Sequence, residues 1–126
     1  MTEFNIVIEK KLKVTHEDID DIMCSALEGG ITYWCNKAEV VGKYLGEYAS
    51  EQISRGGTLI LHDAESDDKW ELNRDNLLKG IAQAYEGNWF MEYGWCDGNV
   101  LDTCQVDAEV ADVIIQLALF DEIVFG

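Results

Sequence analysis

The stretch Thr58-Leu59-Ile60-Leu61-His62-Asp63-Ala64-Glu65-Ser66-Asp67-Asp68-Lys69-Trp70-Glu71-Leu72 decides the fold class. Two runs of strand formers, residues 58–62 and 69–72, flank the acidic turn Ala64 to Asp68. That pattern predicts an antiparallel hairpin, although the turn lacks an Asn-Gly pair. A helix follows at once. Asn73 or Asp75 can accept its first free amide, and Leu77, Leu78, Ile81, Ala82 and Tyr85 recur at helical spacing, with Gly87 as the stop. A hairpin joined directly to an amphipathic helix predicts an α+β domain: a small antiparallel sheet with about three helices on one face.

Upstream, Thr15 opens the first helix. Its hydroxyl can bond a free amide, and Asp18 three residues later completes a near capping box. Glu17, Asp18, Asp20 and Asp21 crowd the turns where the helix dipole favours negative charge. Ile19, Ile22, Met23, Ala26 and Leu27 form its apolar stripe, and Gly29-Gly30 is expected to stop it in a left-handed conformation. Residues 3–13 read as a strand, edge-like near Lys10, Lys11 and Lys13. Ile31 to Cys35 read as a short strand. Between 38 and 55, Val40, Val41, Tyr44, Leu45 and Tyr48 have helical spacing, but Gly42 and Gly46 weaken a helix, so irregular β with a helical turn is expected.

Downstream, residues 86–104 read as a long loop or a poorly regular hairpin. Asp107 caps a helix from about Ala108 to Leu119, with Val110, Val113, Ile114, Leu117 and Ala118 inward. Phe120 to Phe125 reads as a closing strand. Proline is absent and no linker or repeat is visible, so all 126 residues are expected to form a single domain.

Twenty-five acids against nine bases give a net charge of −16. Residues 80–126 carry nine acids and no base. Such a field repels phosphate backbones and anionic membranes, and favours a basic protein partner. Nucleic-acid-binding proteins are the commonest large partners of that kind. The plainer reading of the same charge is solubility. Apolar residues make up 48% of the chain, enough for one core without disulfides or metal. No signal-like apolar run opens the sequence, and the longest apolar stretch, near Val113 to Phe120, is far below the ~20 residues of a membrane span. A cytoplasmic protein with Cys24, Cys35, Cys96 and Cys104 as free thiols is expected.

Three stretches carry a resemblance: Glu17 to Cys35 (EDIDDIMCSALEGGITYWC), Ser54 to Leu59 with the hairpin after it, and Ala111 to Gly126 (ADVIIQLALFDEIVFG). Together they resemble small acidic proteins carried by phages and mobile elements of Gram-positive gut bacteria. Residues 86–104 are longer and more aromatic here than in that group. The group has no assigned chemistry, so no residue role is transferred. The resemblance implies a bacterial host cell and an accessory or anti-defence role.

The leading candidate site is the aromatic-acidic segment: Trp89, Phe90, Tyr93 and Trp95 as anchors, with Glu92, Asp97 and Asp102 steering a basic partner. The same rings could instead turn inward and plug a sheet edge. A second candidate is carboxylate display by Glu17, Asp18, Asp20, Asp21, Glu109, Asp112, Asp121 and Glu122, with Asp18/Asp21 and Glu109/Asp112 each sharing a helix face. Solvated helix faces explain these acids equally well. Metal signals are weak: no Cys-x2-Cys pair occurs, and Asp63, Glu65, Asp67 and Asp68 lack the glycine and terminal glutamate of a calcium loop. A Cys–His–Asp set would need Cys35 or Cys96 beside His62 and Asp63, in a field that opposes thiolate formation. No catalytic residue, metal ligand or cofactor is therefore nominated, and an interaction protein is preferred to an enzyme. The sharpest expectation is an inhibitor that binds a basic host protein by nucleic-acid-like acidic competition. The alternatives are a small-molecule binder or enzyme with a pocket of Trp34, Cys35, His62 and Trp95, and a structural homo-oligomer closed by aromatics.

Overall fold

The computed structural model describes residues 3, 4, 6, 12–86, 96, 97, 100, 101 and 106–126. Helix α1 spans His16–Ser25 and runs on through a π turn, Ala26–Gly30. Its capping box forms as the sequence predicts: Asp18 N–H donates to Thr15 Oγ1 at 3.1 Å, and Thr15 N–H donates to Asp18 Oδ2 at 2.9 Å. Ile19, Ile22, Met23 and Ala26 are buried. The helix stops at Gly30, but without a left-handed residue; the glycine serves close approach instead. A Cβ on Gly30 would sit 2.5 Å from the Ala108 carbonyl oxygen.

Strand β1 is Cys35–Val40, β2 is Leu59–Asp63 and β3 is Lys69–Leu72, paired antiparallel in that order. The β2–β3 hairpin lies where the sequence places it, with Leu61 opposite Trp70 and Leu59 opposite Leu72. Leu59, Leu61 and Leu72 point into the core, while His62 and Glu71 stand on the outer face, as the two-residue period of a strand requires. The expected strand at Ile31 to Cys35 is a turn: Cys35 N–H donates to the Ile31 carbonyl, and the strand begins only at Cys35. Of the expected strand 3–13, Glu3, Phe4, Ile6 and Leu12 are not strand, Lys13 makes a single bridge, and the remainder lies outside the described residues.

Helix α2, Arg74–Glu86, is capped reciprocally: Asn76 N–H donates to Asn73 Oδ1 and Asn73 N–H to Asn76 Oδ1. Its buried face is Leu77, Gly80, Ile81 and Ala84, whereas Leu78 and Ala82 point outward. The small residues mark the seam with helix α3, Ala108–Phe120: a Cβ on Gly80 would clash with the Ile114 carbonyl and lie 2.9 Å from the Ala118 Cβ. The expected stop at Gly87 lies outside the described residues. Strands β4 (Cys96–Asp97) and β5 (Val100–Leu101) pair antiparallel, a very short hairpin. Asp107 caps α3 as expected, accepting Val110 N–H at 2.9 Å. Helices and three-stranded sheet share one core, centred on Ile22, Met23, Leu59, Leu61, Ile81, Ile114 and Ile115.

Residues 121–126 are not the expected closing strand. Asp121 takes the left-handed conformation, φ 59°, reverses the chain, and lays Phe125 back over Trp34.

Candidate binding surface

Of the seven residues nominated from the sequence, Trp89, Phe90, Glu92, Tyr93, Trp95 and Asp102 lie outside the described residues; only Asp97 falls in a described element, β4.

The described residues present a second aromatic segment, in the stretch whose sequence predicts irregular β with a helical turn. After β1 the chain turns at Gly42, φ 76°, and forms a loop over residues 41–48 that ends in a single 3-10 turn, Ala49–Glu51. Two side chains hold this loop by its main chain. Gln52, 1% exposed, accepts from Leu45 N–H at 3.0 Å and donates through Nε2 to the Lys43 carbonyl at 3.1 Å. Glu51 Oε1 accepts from Glu47 N–H and Tyr48 N–H at 3.0 and 3.1 Å, and Arg55 grips its other oxygen at 3.2 Å. The Tyr48 amide and the Arg55 guanidinium hold the Glu51 carboxyl below the ordinary range. Glycine 57 makes room for the Gln52 amide, since a Cβ there would lie 2.5 Å from Nε2.

With its backbone fixed, the loop turns its large side chains outward: Tyr44 is 60%, Leu45 48% and Tyr48 62% exposed, and Val41 is exposed beside them. Scattered exposed apolar residues need no explanation, but four within eight residues on a held loop are a local concentration of them. Tyrosines on a fixed backbone lose little entropy on binding. Glu39 and Glu47 flank these residues, both exposed. The segment after the loop is tied to α1 by Ser54 Oγ, which donates to Asp20 Oδ1 at 2.5 Å.

The carboxylate display is smaller than the sequence suggests. Asp18 is engaged in the α1 cap, Asp20 on Ser54, and Asp121 with Lys79 Nζ at 2.9 Å. Asp112 is buried, so Glu109 and Asp112 do not share an exposed face. Its Oδ2 accepts from Tyr33 O–H at 2.6 Å; its Oδ1 accepts from Trp34 Nε1–H at 2.8 Å and from Gln116 Nε2 at 2.9 Å. Partial burial and then the Asp112 carboxylate push the Tyr33 phenol up to about 12. Gln116, fully buried, accepts with Oε1 from Val124 N–H and Phe125 N–H, both at 2.8 Å. The Phe125 ring stacks on Trp34, centroids 4.8 Å apart and planes 2° apart, with Trp70 and Phe120 edge-on to it. Nothing in the periodicity of α3 marks Asp112 or Gln116 as buried; both lie inward because the Trp34 turn and the 121–126 segment bring donors to them.

A Cys35–His62 pairing does not form. Cys35 belongs to the core, its thiol 3.4 Å from the Lys37 carbonyl, and burial pushes that thiol up. His62 stands on the outer face, its Nε2 3.0 Å from Glu39 Oε1. Trp34 is likewise sealed in the core, so Trp34, Cys35 and His62 line no common pocket. An open concavity of about 510 Å³ does lie beside His62, bordered by Lys37, Lys69, Asp63 and Asp67, and lined by polar residues and charges of both signs. Among the described residues no three His, Cys, Asp or Glu side chains stand close enough to hold a metal ion, and no helix is long and apolar enough to cross a membrane. No protein family, curated protein or solved structure matches the chain.

Proposed function

We propose that this protein acts by binding: it is an accessory protein of a phage or mobile element that docks on a basic surface of a host protein. The observation that carries this reading is the 41–48 loop, whose backbone is fixed by Gln52 and Glu51 while Tyr44, Leu45 and Tyr48 face solvent. A fold that only needed a connection from β1 to β2 has no use for exposed phenols on a braced backbone. The net charge of −16 gives the partner its sign. In the sharpest form the partner is a nucleic-acid-binding defence factor, and carboxylates compete with phosphates for its lysines and arginines. Trp89, Phe90, Tyr93 and Trp95 supply a second group of anchors, with Glu92, Asp97 and Asp102 steering. The resemblance of the Glu17–Cys35 and Ala111–Gly126 stretches to mobile-element proteins supports the biological setting.

The test compares the wild-type chain with a Y44A/Y48A double variant as immobilised baits in host lysate, eluting with a salt gradient. The partner is then purified and titrated against both. Wild type should bind with an affinity that falls about tenfold or more between low and moderate salt, and the double variant should lose about tenfold at any salt. An affinity flat in salt, or unchanged by the double variant, would overturn the reading.

A further inference from the structure

The seat of Phe125 is built to receive an extended segment, and the segment it now holds is attached by a strained hinge. Of the 121–126 segment Gln116 bonds main chain only: two N–H groups accepted by Oε1, and the Phe125 carbonyl bonded by Nε2 at 3.2 Å; the same Nε2 also donates to Asp112. The aromatic box of Trp34, Trp70 and Phe120 takes the ring. Ile123 and Val124 contribute little, both being exposed. The segment therefore hangs on one side chain's hydrogen bonds and one ring.

The hinge is Asp121, the one non-glycine residue with positive φ among those described. A left-handed backbone costs every residue but glycine, though aspartate and asparagine less than the others. A lock from α2 keeps the turn closed: Lys79 Nζ lies 2.9 Å from Asp121 Oδ1, and Gln83 Nε2 donates to the same oxygen at 3.1 Å. The lock is itself poorly satisfied, since Gln83 Oε1 is buried without a hydrogen-bond partner.

We propose that residues 122–126 exchange reciprocally between two copies of this chain. When Asp121 relaxes to a right-handed conformation, the segment points away from its own α3, and the emptied seat of each copy takes the strap of the other. The contacts of residues 122–126 are then remade between chains, while those of Asp121 itself with Lys79, Gln83 and the Leu117 carbonyl are given up. The exchange gains the relief of two strained hinges and opposes the repulsion of two chains of charge −16, so it requires high protein concentration and high salt. Its salt dependence is opposite in sign to that of docking on a basic partner, and the two readings can fail separately.

Complementation tests this. In Q116A the seat is lost and the strap kept; in F125A the strap is lost and the seat kept. With one variant carrying a mass tag, sedimentation equilibrium is run at about 1 mM chain and about 0.5 M salt, folding being checked by near-ultraviolet circular dichroism. Wild type should dimerise, neither variant alone should, and the mixture should give a tagged–untagged heterodimer with one complete seat. K79A should raise the wild-type dimer constant, and in a K79A/Q83A background, where the lock is already gone, D121G should lower it about fivefold per hinge, because glycine accepts the closed turn without strain. A wild type and K79A that both stay monomeric would overturn the proposal, as would F125A alone dimerising like wild type. If Q116A does not fold, the D121G and K79A arms decide on their own.

Discussion

Asp112 is a buried carboxylate with three donors and no cation beside it among the described residues. Replacing it in two ways separates its geometry from its charge. In D112A, Trp34 Nε1–H is left buried without an acceptor, Gln116 Nε2 keeps only its weaker partners, and the half-exposed Tyr33 hydroxyl turns to water. An orphaned buried donor costs about 1–3 kcal/mol, and losing bonds to a charged acceptor adds a similar amount, partly offset because a buried charge is also removed. The expected loss is about 3 kcal/mol. A chain of this length has an unfolding entropy of about 0.26 kcal/mol/K, so the midpoint should fall by about 10 °C. In D112N the amide oxygen can take the Oδ1 position and keep both nitrogen donors, while its NH2 meets Tyr33, whose hydroxyl rotates to accept. The expected loss is about 1 kcal/mol or less. Urea titration followed by tryptophan fluorescence, together with thermal melts, reads both variants. Equal and small losses would refute the claim that this network supports the fold; equal and large losses would show that the negative charge itself is required.

The other expectations are more local. Tyr33 has a folded pKa of about 12, above its unfolded value of about 10. The neutral phenol is therefore favoured by folding. That contribution is whole below pH 10 and lost as pH rises towards 12, visible as a falling urea midpoint and a late tyrosinate absorbance, and D112N should bring the absorbance step to lower pH. Gly80→Ala forces a methyl against the Ile114 carbonyl, so α2 and α3 must separate; a net loss of about 2 kcal/mol by chemical denaturation is expected despite the better helix propensity of alanine. Thr15→Ala removes the acceptor for Asp18 N–H and should cost about 1 kcal/mol, with Thr15→Ser restoring most of it; an unchanged midpoint in T15A would show that the cap does not hold α1.

The elements set by local chemistry were legible in the sequence. The Thr15 and Asp107 caps and the strand alternation of 58–72 specify their structure within a few residues, and all three lie where expected. What misled was chemistry set by distant partners. Periodicity put Leu78 and Ala82 on the inner face of α2, but the seam with α3 selects Gly80 and Ala84 because the backbones meet there. The β-branched run Ile123-Val124 suggested a strand, yet no described strand lies beside it; a side chain, Gln116, takes the place of a neighbouring strand. Gly29-Gly30 suggested a left-handed stop, but Gly30 instead admits the Ala108 carbonyl. The aromatic loop was missed because its order comes from Gln52 and Glu51, up to nine residues away, and neither type signals such a role by spacing.

The way Gln52 and Glu51 hold residues 43–48 has an evolutionary consequence. Between them they grip three amides and one carbonyl, main-chain groups that every non-proline residue possesses. Tyr44, Leu45 and Tyr48 can thus be exchanged for other side chains while the loop keeps its shape, so the surface displayed there can change from one sequence to the next and leave stability almost untouched.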